Sequence, residues 1–563
     1  MTNLKRARHL AHPRRRVRRS TIAGALLLVV AVVISLITLS GNGGPKRPAV
    51  RTRAQAASRS ARTFLGPDGV ESTAVVAENR LPGTTAWQIT NQAASGFIEG
   101  FADTTYAAQG GQVGLYVSTS ANSFRVIAYR MGYYGGKGGR QVWGSGTLSG
   151  VQQPACPVVT GINMVDCDSW SLSLTVQITS AFPSGDYLFK LIGSGDQQSY
   201  VPLTVWDPTS TSTYVIMARS LTEQGWNTFG GYSFYQGEGP CPPGSGSYPP
   251  CNRARVVSFD RPYSTGNGAA DFLGDEFPLV YYAEEQGLDV TYGTDVTVND
   301  HPSMLLQHKA LLSLGHDETW TWPELQGVEI AIGKGLNVAF MGAAAIVRHA
   351  RLQASPLGPD QEEVDYRDSS EDPLNGVGSA DEVTGNTWAS PPTDISTSGL
   401  VGQIYSGYLE PNEPPAALVV WDADAWIFKG TGLVDGSKIP GVISSDIDHV
   451  DPSQPMPADL EVLGHSPIPL SEAYTNQGEW GGDTYSDMTY YTDRSSKAGI
   501  FDSGTVNWIN AMAPPCSGEP AGLCPSPLLG EITGNLFWLF GQGPAGDVVP
   551  STANWQSVTP SGS

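Results

Sequence analysis

Residues 73–208 carry apolar and polar positions that alternate along short runs. The clearest run has apolar side chains at Leu172, Leu174 and Val176, with polar residues between them. Successive side chains of a strand point to opposite faces, so this period indicates strands with one buried face. Turn signals such as Pro183-Ser184-Gly185 separate the runs. The segment is therefore predicted to be a β-sandwich of the immunoglobulin or fibronectin type.

From Thr213 the pattern changes to short, continuous apolar runs separated by segments with helical periodicity. The predicted strands are Tyr214 to Ala218, Leu288 to Tyr292, Ala310 to Leu314, Leu336 to Met341, Ala417 to Trp421 and Gly441 to Ile443. The predicted helices are Phe277 to Gln286 and Pro323 to Gly333. Alternating strands and helices predict a mainly parallel α/β domain over residues 212–541. The fold class is thus α/β plus all-β, with a disordered tail at 542–563.

The N-terminus combines a basic segment at residues 1–20 with an uncharged, mostly apolar run at 21–39. This length and charge order predict a transmembrane signal anchor, with the N-terminus cytoplasmic and the main domains outside the cell membrane. A cleaved signal peptide, with Ala54-Gln55-Ala56 as the cleavage site, is the alternative. Residues 40–72 are rich in small residues, Pro and Arg, and predict a flexible linker.

The charge is distributed unevenly along the chain. Fourteen of the 33 Lys and Arg residues precede the first acidic residue, Asp68, which leaves 19 basic residues against all 54 acidic ones. Such an acidic remainder repels polyanions, so nucleic acid is not an expected partner. Oligomerisation stays open.

The six cysteines fall into three local pairs. Close neighbours in a chain predicted to lie outside the cytosol favour disulfides, and leave no thiol for nucleophilic catalysis. The predicted pairs are Cys156 with Cys167, Cys241 with Cys251, and Cys516 with Cys524.

Three ionisable residues, His316, Asp317 and Glu318, follow the predicted strand Ala310 to Leu314. Ligands bind outside the carboxyl ends of strands in open α/β sheets, so this triplet lies where chemistry is usually done. The alternative is structural, with Asp317 capping the next turn and the other two in an ordinary loop. No Gly-x-Ser-x-Gly elbow and no phosphate-binding glycine loop is found, which argues against a serine hydrolase and a nucleotide-binding enzyme.

Several motifs from both predicted domains resemble one family, in one order along the chain. They are Glu78-Asn-Arg-Leu-Pro-Gly83, Ala128-Tyr-Arg-Met-Gly-Tyr-Tyr-Gly-Gly136, Asn227-Thr-Phe-Gly-Gly-Tyr-Ser-Phe-Tyr235, Val257-Ser-Phe-Asp-Arg-Pro-Tyr263, Gly315-His-Asp-Glu318 and Glu371-Asp-Pro373. The match resembles the C-terminal region of the large (beta) subunit of N,N-dimethylformamidase. The resemblance implies a sandwich followed by a domain similar to the class I glutamine amidotransferase fold.

The resemblance also implies an activity and a cofactor. The characterised enzyme of this family hydrolyses a small formamide with a mononuclear ferric iron held by two tyrosines and one glutamate. Hard anionic oxygen donors suit a Lewis acid that polarises an amide carbonyl. By motif position Glu318 corresponds to the glutamate ligand, and Tyr235 and Tyr263 are the candidate tyrosine ligands. His316 and Asp446 are the candidate catalytic residues.

The chain departs from the family pattern at three places. Relatives usually read Ala-Tyr-Asn where this chain has Gly225-Trp226-Asn227, and Gly-Ala-Asn-Ala where it has Gly342-Ala-Ala-Ala345. They read Gly-Tyr-Glu-x-Asp where it has Ser444-Ser-Asp-Ile-Asp448. The sequence therefore supports two functions: an extracytoplasmic amide hydrolase, or a non-catalytic surface or envelope binding protein that keeps the fold.

Overall fold

The computed structural model describes residues 62–241, 250–409, 413–468, 473–474, 484–513 and 526–558. The described residues belong to one compact unit. Strands outnumber helices, and most strands are short.

The strands of the described chain, numbered in chain order, are β1 Thr63–Gly66, β2 Gly69–Ser72, β3 Ile98–Ala102, β4 Tyr106–Ala108, β5 Gln112–Thr119, β6 Ser123–Met131, β7 Gly139–Gly144, β8 Leu148–Ser149, β9 Val158–Val159, β10 Met164–Val165, β11 Leu174–Gln177, β12 Gly185–Gly193, β13 Gln198–Trp206, β14 Tyr214–Ala218, β15 Val256–Ser258, β16 Val290–Thr294, β17 Ala310–Gly315, β18 Thr319–Thr321, β19 Asn337–Gly342, β20 Arg348–Gln353, β21 Glu362–Val364, β22 Ile404–Leu409, β23 Ala416–Val419, β24 Lys438–Ile443, β25 Asp446–His449, β26 Glu461–Ile468, β27 Ala473–Tyr474, β28 Thr484–Thr492 and β29 Gly499–Asp502.

The α-helices of the described chain are α1 Thr73–Asn79, α2 Ser220–Trp226, α3 Phe272–Asp275, α4 Phe277–Glu285, α5 Asp295–Asp300, α6 Trp322–Ile332, α7 Ser398–Val401, α8 Trp508–Met512 and α9 Pro527–Phe540. α6 begins with a capping box, in which Thr321 and Glu324 bond each other's backbone N–H groups. This satisfies donors that the first turn of a helix leaves free.

Two sheets in the first part of the described chain share one core. The three-stranded sheet has the order β11-β5-β3, and the six-stranded sheet has the order β4-β13-β12-β6-β7, with β8 paired to β6. Val117 of β5, Val126 of β6 and Leu191 of β12 are buried in the same hydrophobic cluster. Alternation along each strand therefore places the apolar side chains between the two sheets.

The largest sheet of the described chain has seven strands in the order β16-β14-β17-β19-β29-β28-β26. Its first five strands are parallel, and β28 and β26 are antiparallel to their neighbours. Tyr214 and Ile216 pack with α4 and α9 on one face. Val215 and Met217 pack with α6 on the other. Burial on both faces explains why β14 reads as a continuous apolar run.

The predicted fold class needs correction. The described chain is a mixed α/β structure with eight sheets of two to seven strands, five of which lie beyond the two facing sheets and the seven-stranded sheet. Four predicted strands do lie side by side as β16, β14, β17 and β19, but β23 and β24 pair only with each other. A short apolar run shows that a strand is buried without showing which partner it joins.

The membrane prediction also needs correction. Within the described ranges, none of the helices is long and apolar enough to cross a membrane. The basic segment 1–20 and the predicted span 21–39 lie outside the described residues. The described residues therefore lend no support to the predicted transmembrane helix or to the single-pass localisation.

Two of the three predicted disulfides are confirmed. Cys156 is bonded to Cys167, and Cys241 to Cys251. The third pair, Cys516 and Cys524, lies outside the described residues.

Both ends of the described chain are more ordered than the sequence predicts. Residues 63–72, assigned to the linker, form the hairpin of β1 and β2. Residues 542–558, assigned to the tail, pack on the body. Asn554 accepts a hydrogen bond from the backbone N–H of Val462 and donates one to its carbonyl. An asparagine side chain can satisfy both groups of one residue, a pairing that composition does not reveal.

A buried ion pair joins the six-stranded sheet to the seven-stranded one. Arg130 of β6 contacts Glu284 of α4 at 2.5 Å, and the Glu284 side chain is 0% exposed. Tyr292 of β16 and Asn79 of α1 also donate hydrogen bonds to the Glu284 carboxylate. A charge removed from water needs this number of partners, so the four residues act as one unit.

Breaking this unit is expected to destabilise the whole fold. Glu284→Gln leaves the Arg130 guanidinium buried without its counter-charge, which typically costs about 3–5 kcal/mol. Denaturant unfolding followed by circular dichroism measures the loss. The matched control is Arg494→Met, which removes the exposed pair between Arg494 and Asp459 and should leave the unfolding midpoint unchanged. Equal effects of the two substitutions would contradict this assignment.

Buried carboxyl groups predict the pH dependence of stability. Burial raises the pKa of Asp186 and of Asp448 to about 7. A carboxyl whose pKa is higher in the folded state holds its proton more tightly there, so it stabilises the fold at low pH, and that contribution is lost as pH rises through the folded pKa. We expect the thermal midpoint to be higher at pH 5.5 than at pH 8. Asp186→Asn should flatten this dependence, and a midpoint that rises with pH would refute the prediction.

Candidate functional site

The site lies at the carboxyl end of β17, where the strand passes close to β19. Gly315 has φ +56°, in the left-handed region that favours glycine. A Cβ on Gly342 would lie 1.6 Å from the carbonyl oxygen of Gly315. Both glycines are therefore required for the two strands to end side by side and for the chain to turn into the triplet His316, Asp317 and Glu318.

Side chains of α2 and of the residue before it fix the backbone of the triplet. The guanidinium of Arg219 donates to the His316 carbonyl at 3.2 Å. The hydroxyl of Thr222 accepts from the backbone N–H groups of Glu318 and Thr319, both at 3.0 Å. Asp317 is fully buried and accepts a hydrogen bond from the hydroxyl of Ser313 at 2.7 Å. Asp317 is therefore a structural member of the triplet, and the other two side chains reach the site.

The Glu318 carboxylate is 5% exposed and is bonded through both oxygens. Oε1 accepts from Nε of Arg348 at 3.0 Å. Oε2 accepts from the indole N–H of Trp226 at 3.1 Å and from the hydroxyl of Tyr235. Three donors thus converge on one buried carboxylate.

These neighbours keep Glu318 ionised. Burial alone would raise its pKa, but the charges of Arg348 and His316 and the Tyr235 hydrogen bond outweigh burial and lower the pKa to about 2. Burial and the Glu318 charge together raise the pKa of Tyr235 well above its usual value. At neutral pH the pair is therefore a carboxylate and a neutral phenol.

His316 lies between two carboxylates. Its Nε2 is 3.5 Å from Oε2 of Glu318, and its Nδ1 is 3.7 Å from Oδ2 of Asp446. Burial raises the pKa of Asp446, and the nearby charge of Glu318 raises it further, while His316 and a hydrogen bond with Tyr405 lower it. One carboxylate that stays ionised and one that binds a proton more readily therefore flank the same imidazole.

An aromatic stack, formed by Trp226, Tyr235 and Arg367, supports the Glu318 side of the site. The Trp226 and Tyr235 rings are nearly parallel, with centroids 3.6 Å apart. The guanidinium carbon of Arg367 lies 4.4 Å from the Tyr235 centroid. Trp226 is 43% exposed. Its indole therefore forms the solvent-facing end of the stack, while its N–H points to Glu318.

Four of the five candidate catalytic and metal residues come together: Tyr235, His316, Glu318 and Asp446. Tyr263 does not join them. It lines a separate cavity of about 60 Å³ together with Arg261 and Ser220. Among the described residues it makes no hydrogen bond to Glu318, and burial together with the charges of Glu223, Asp295 and Glu363 raises the pKa of its hydroxyl.

The sequence did not indicate the two arginines of the site. Arg348 opens β20, which pairs in parallel with β18 so that Thr319 lies opposite Arg348. This pairing brings the guanidinium beside Glu318, and Arg348 also donates to the side chain of Asn386. Arg367 lies in a later segment at φ +54°. Neither arginine can be recognised as a site residue until the pairing of the strands is known.

The loop after β19 is held in place by hydrogen bonds to the Asp448 carboxylate. The backbone N–H of Ala344 donates to both oxygens of this carboxylate at 2.9 Å, and Ala344 has φ +55°. Asp446 and Asp448 are two residues apart on β25, so both side chains lie on the same face of the strand. The substituted loop and the substituted acidic residue are therefore positioned by the same short strand.

The donor set does not fit an iron held by two tyrosines and one glutamate. Among the described residues, Tyr235 is the one phenol hydrogen-bonded to Glu318, and Tyr263 lines another cavity. Within the described ranges there is also no group of three His, Cys, Asp or Glu residues that could hold a metal ion. Both Glu318 oxygens already accept hydrogen bonds, so a hard cation would have to displace protein donors to bind there. No step of the chemistry below therefore involves iron.

Comparison with known proteins identifies the family. Comparison with curated proteins gave no match. Among solved structures, the crystal structure of murine CEACAM1b is similar at 13% identity, with a TM-score of 0.12 over 21% of this chain and 61% of that chain. A family model described as N,N-dimethylformamidase beta subunit-like, C-terminal, matches residues 125–519, which is most of the chain and includes the whole site. The chain therefore belongs to the N,N-dimethylformamidase beta subunit-like, C-terminal family.

Proposed function

We propose that this chain hydrolyses a C–N bond of a small amide, with His316 and Asp446 as the acid–base pair. The observation that carries the proposal is the placement of one imidazole between two carboxylates of different proton affinity, at the carboxyl end of a parallel strand. Family membership supports the reaction class. The site lies beside the exposed face of Trp226, which gives a substrate access from solvent.

The reaction needs one water and no redox partner. His316 accepts a proton as the water oxygen forms a bond to the carbonyl carbon, and it returns that proton to the nitrogen as the C–N bond breaks. The products are a carboxylic acid and an amine, so atoms and charge balance. Asp446 holds the imidazolium by charge while the proton resides on the ring, as a carboxylate partner does in other hydrolases.

Glu318 orients His316. Because its carboxylate is bonded by Arg348, Trp226 and Tyr235, Glu318 has little freedom to move. The Glu318 carboxylate lies 3.5 Å from Nε2 of His316, close enough to fix the orientation of the ring. Preorganisation of this kind removes the cost of reorienting groups during the reaction.

A second candidate function is ligand binding without turnover. The observation that favours it is Trp226, an exposed aromatic ring at the mouth of a site whose glutamate oxygens are already bonded. Exposed aromatic rings beside polar groups are common anchors in recognition sites. This function needs no proton transfer, so substitution of His316 should then leave ligand affinity nearly unchanged.

His316→Asn is expected to abolish amide hydrolysis. Loss of a general base typically lowers the rate by about 10²–10⁴-fold. Amine release from a panel of small amides, beginning with N,N-dimethylformamide, measures turnover. His465→Asn is the matched control, because His465 also lies against an aspartate, at 2.6 Å from Asp487, but in another part of the fold.

The panel separates the two functions. If no amide is turned over by the wild type while a panel member binds with equal affinity to wild type and His316→Asn, the hydrolase proposal fails and ligand binding replaces it. Turnover that survives His316→Asn would exclude His316 as the base.

The pH profile tests the roles of the two carboxylates. The pKa of Glu318 is about 2 and burial raises that of Asp446, so Asp446 should be protonated before Glu318 as the pH falls, and activity that depends on the Asp446 charge should fall with it. Arg348→Gln removes the strongest charge that lowers the pKa of Glu318, so the acid limb of kcat/KM should move to higher pH and become steeper. An unchanged limb in a correctly folded variant would show that the charge of Glu318 plays no part in turnover.

A further inference from the structure

We infer that Trp226 is the residue that makes the Glu318 centre unsuited to a metal ion, and that a phenol at position 226 would make the same centre able to hold iron. This inference concerns metal binding alone. It stands whether or not the chain hydrolyses amides, because its readout is metal content and colour.

The Glu318 carboxylate has little bonding capacity left for a metal ion. A carboxylate oxygen has two lone-pair sites, and Oε2 already accepts from the Trp226 N–H and from the Tyr235 hydroxyl. Oε1 accepts from Arg348. The oxygen that faces the aromatic residues is therefore saturated by protein donors, and a metal ion would have to displace one of them.

The Trp226 indole cannot itself bind a metal ion. An indole N–H donates a hydrogen bond and offers no lone pair, so Trp226 cannot become a ligand. A phenol at the same place can lose its proton to a bound metal and supply an anionic oxygen. Trp226 thus replaces a potential ligand with a donor that competes with the metal for Glu318.

Positive charges lie close to the Glu318 centre. Arg348 is bonded to Glu318, and the Arg367 guanidinium lies over the Tyr235 ring. Both positive charges oppose a trivalent cation at this centre. Two phenols and one carboxylate could supply three anionic oxygen ligands, whereas the present centre brings together one carboxylate, that of Glu318, and one phenol, that of Tyr235.

The position of Trp226 in the fold allows its replacement by tyrosine. Trp226 is the last residue of α2 and is 43% exposed, so a smaller ring leaves no buried cavity. Its ring stacks on Tyr235 with an interplanar angle of 9°. A tyrosine ring can keep this stack, and its oxygen then lies on the same side of the carboxylate as the indole nitrogen does now.

Four proteins test the inference: wild type, Trp226→Tyr, Trp226→Phe and the double variant Trp226→Tyr with Tyr235→Phe. Each is loaded with ferric citrate and desalted. Elemental analysis and visible absorbance are then measured. We expect about one iron per chain and a phenolate-to-iron absorption band in Trp226→Tyr alone. Trp226→Phe is the matched control, because it removes the competing N–H without adding an oxygen ligand.

Two results would overturn the inference. The first is stoichiometric iron with a phenolate band in the wild type that is lost in Glu318→Ala. The second is a folded Trp226→Tyr protein that stays colourless and free of iron. If Trp226→Tyr does not fold, Trp226→His supplies a lone pair at the same position, and failure of folded Trp226→His to gain metal counts equally against the inference.

Discussion

The negative charge of Glu318, buried at the carboxyl end of β17, is the constraint around which the site is built. A carboxylate removed from water must be compensated by hydrogen bonds and opposite charge. Arg348, Tyr235 and Trp226 supply the bonds, and Arg348 and Arg367 supply the positive charge. These residues come from separate parts of the chain, so the compensation of one charge also joins α2, β17, β20 and the loop that carries Tyr235.

The family motifs fall into two physical groups. The motifs around Asn79 and Arg130 do not reach the site. They form the buried unit on Glu284, and the side chain of Asn79 also accepts hydrogen bonds from the backbone of Tyr133 and Tyr134. Motif strength along a sequence therefore reports the packing between sheets as much as chemistry. The triplet at His316 belongs to the second group, in which side chains from separate elements meet around Glu318.

The sequence predicted the site in part because one strand and its end can be recognised locally. The apolar run of β17 and the ionisable residues after Gly315 are adjacent in the chain, and the family pattern added Tyr235 and Asp446. Arg348 and Arg367 were missed because their roles depend on strand pairing and on a chain reversal far from Glu318. Tyr263 was predicted from a motif, which fixes a residue's neighbours in sequence only, and in the structure it lines a different cavity. The same limit explains the fold class, since β23 and β24 look like core strands but pair only with each other.

The shortened acid at position 446 reaches His316 in spite of its missing methylene. Its carboxylate lies 3.7 Å from Nδ1, slightly beyond hydrogen-bond distance, and contacts of this kind commonly tighten when a substrate is bound. A closer approach of about 1 Å would complete the bond, which rotation of one aspartate side chain can supply. β25 is held next to the Ala344 loop by Asp448, so the strand itself need not move. The substitutions at 344 and 446 therefore change which groups face the substrate while they preserve the position of the imidazole, and the chemistry of the site depends on the charge that Glu318 and Asp446 place on either side of it.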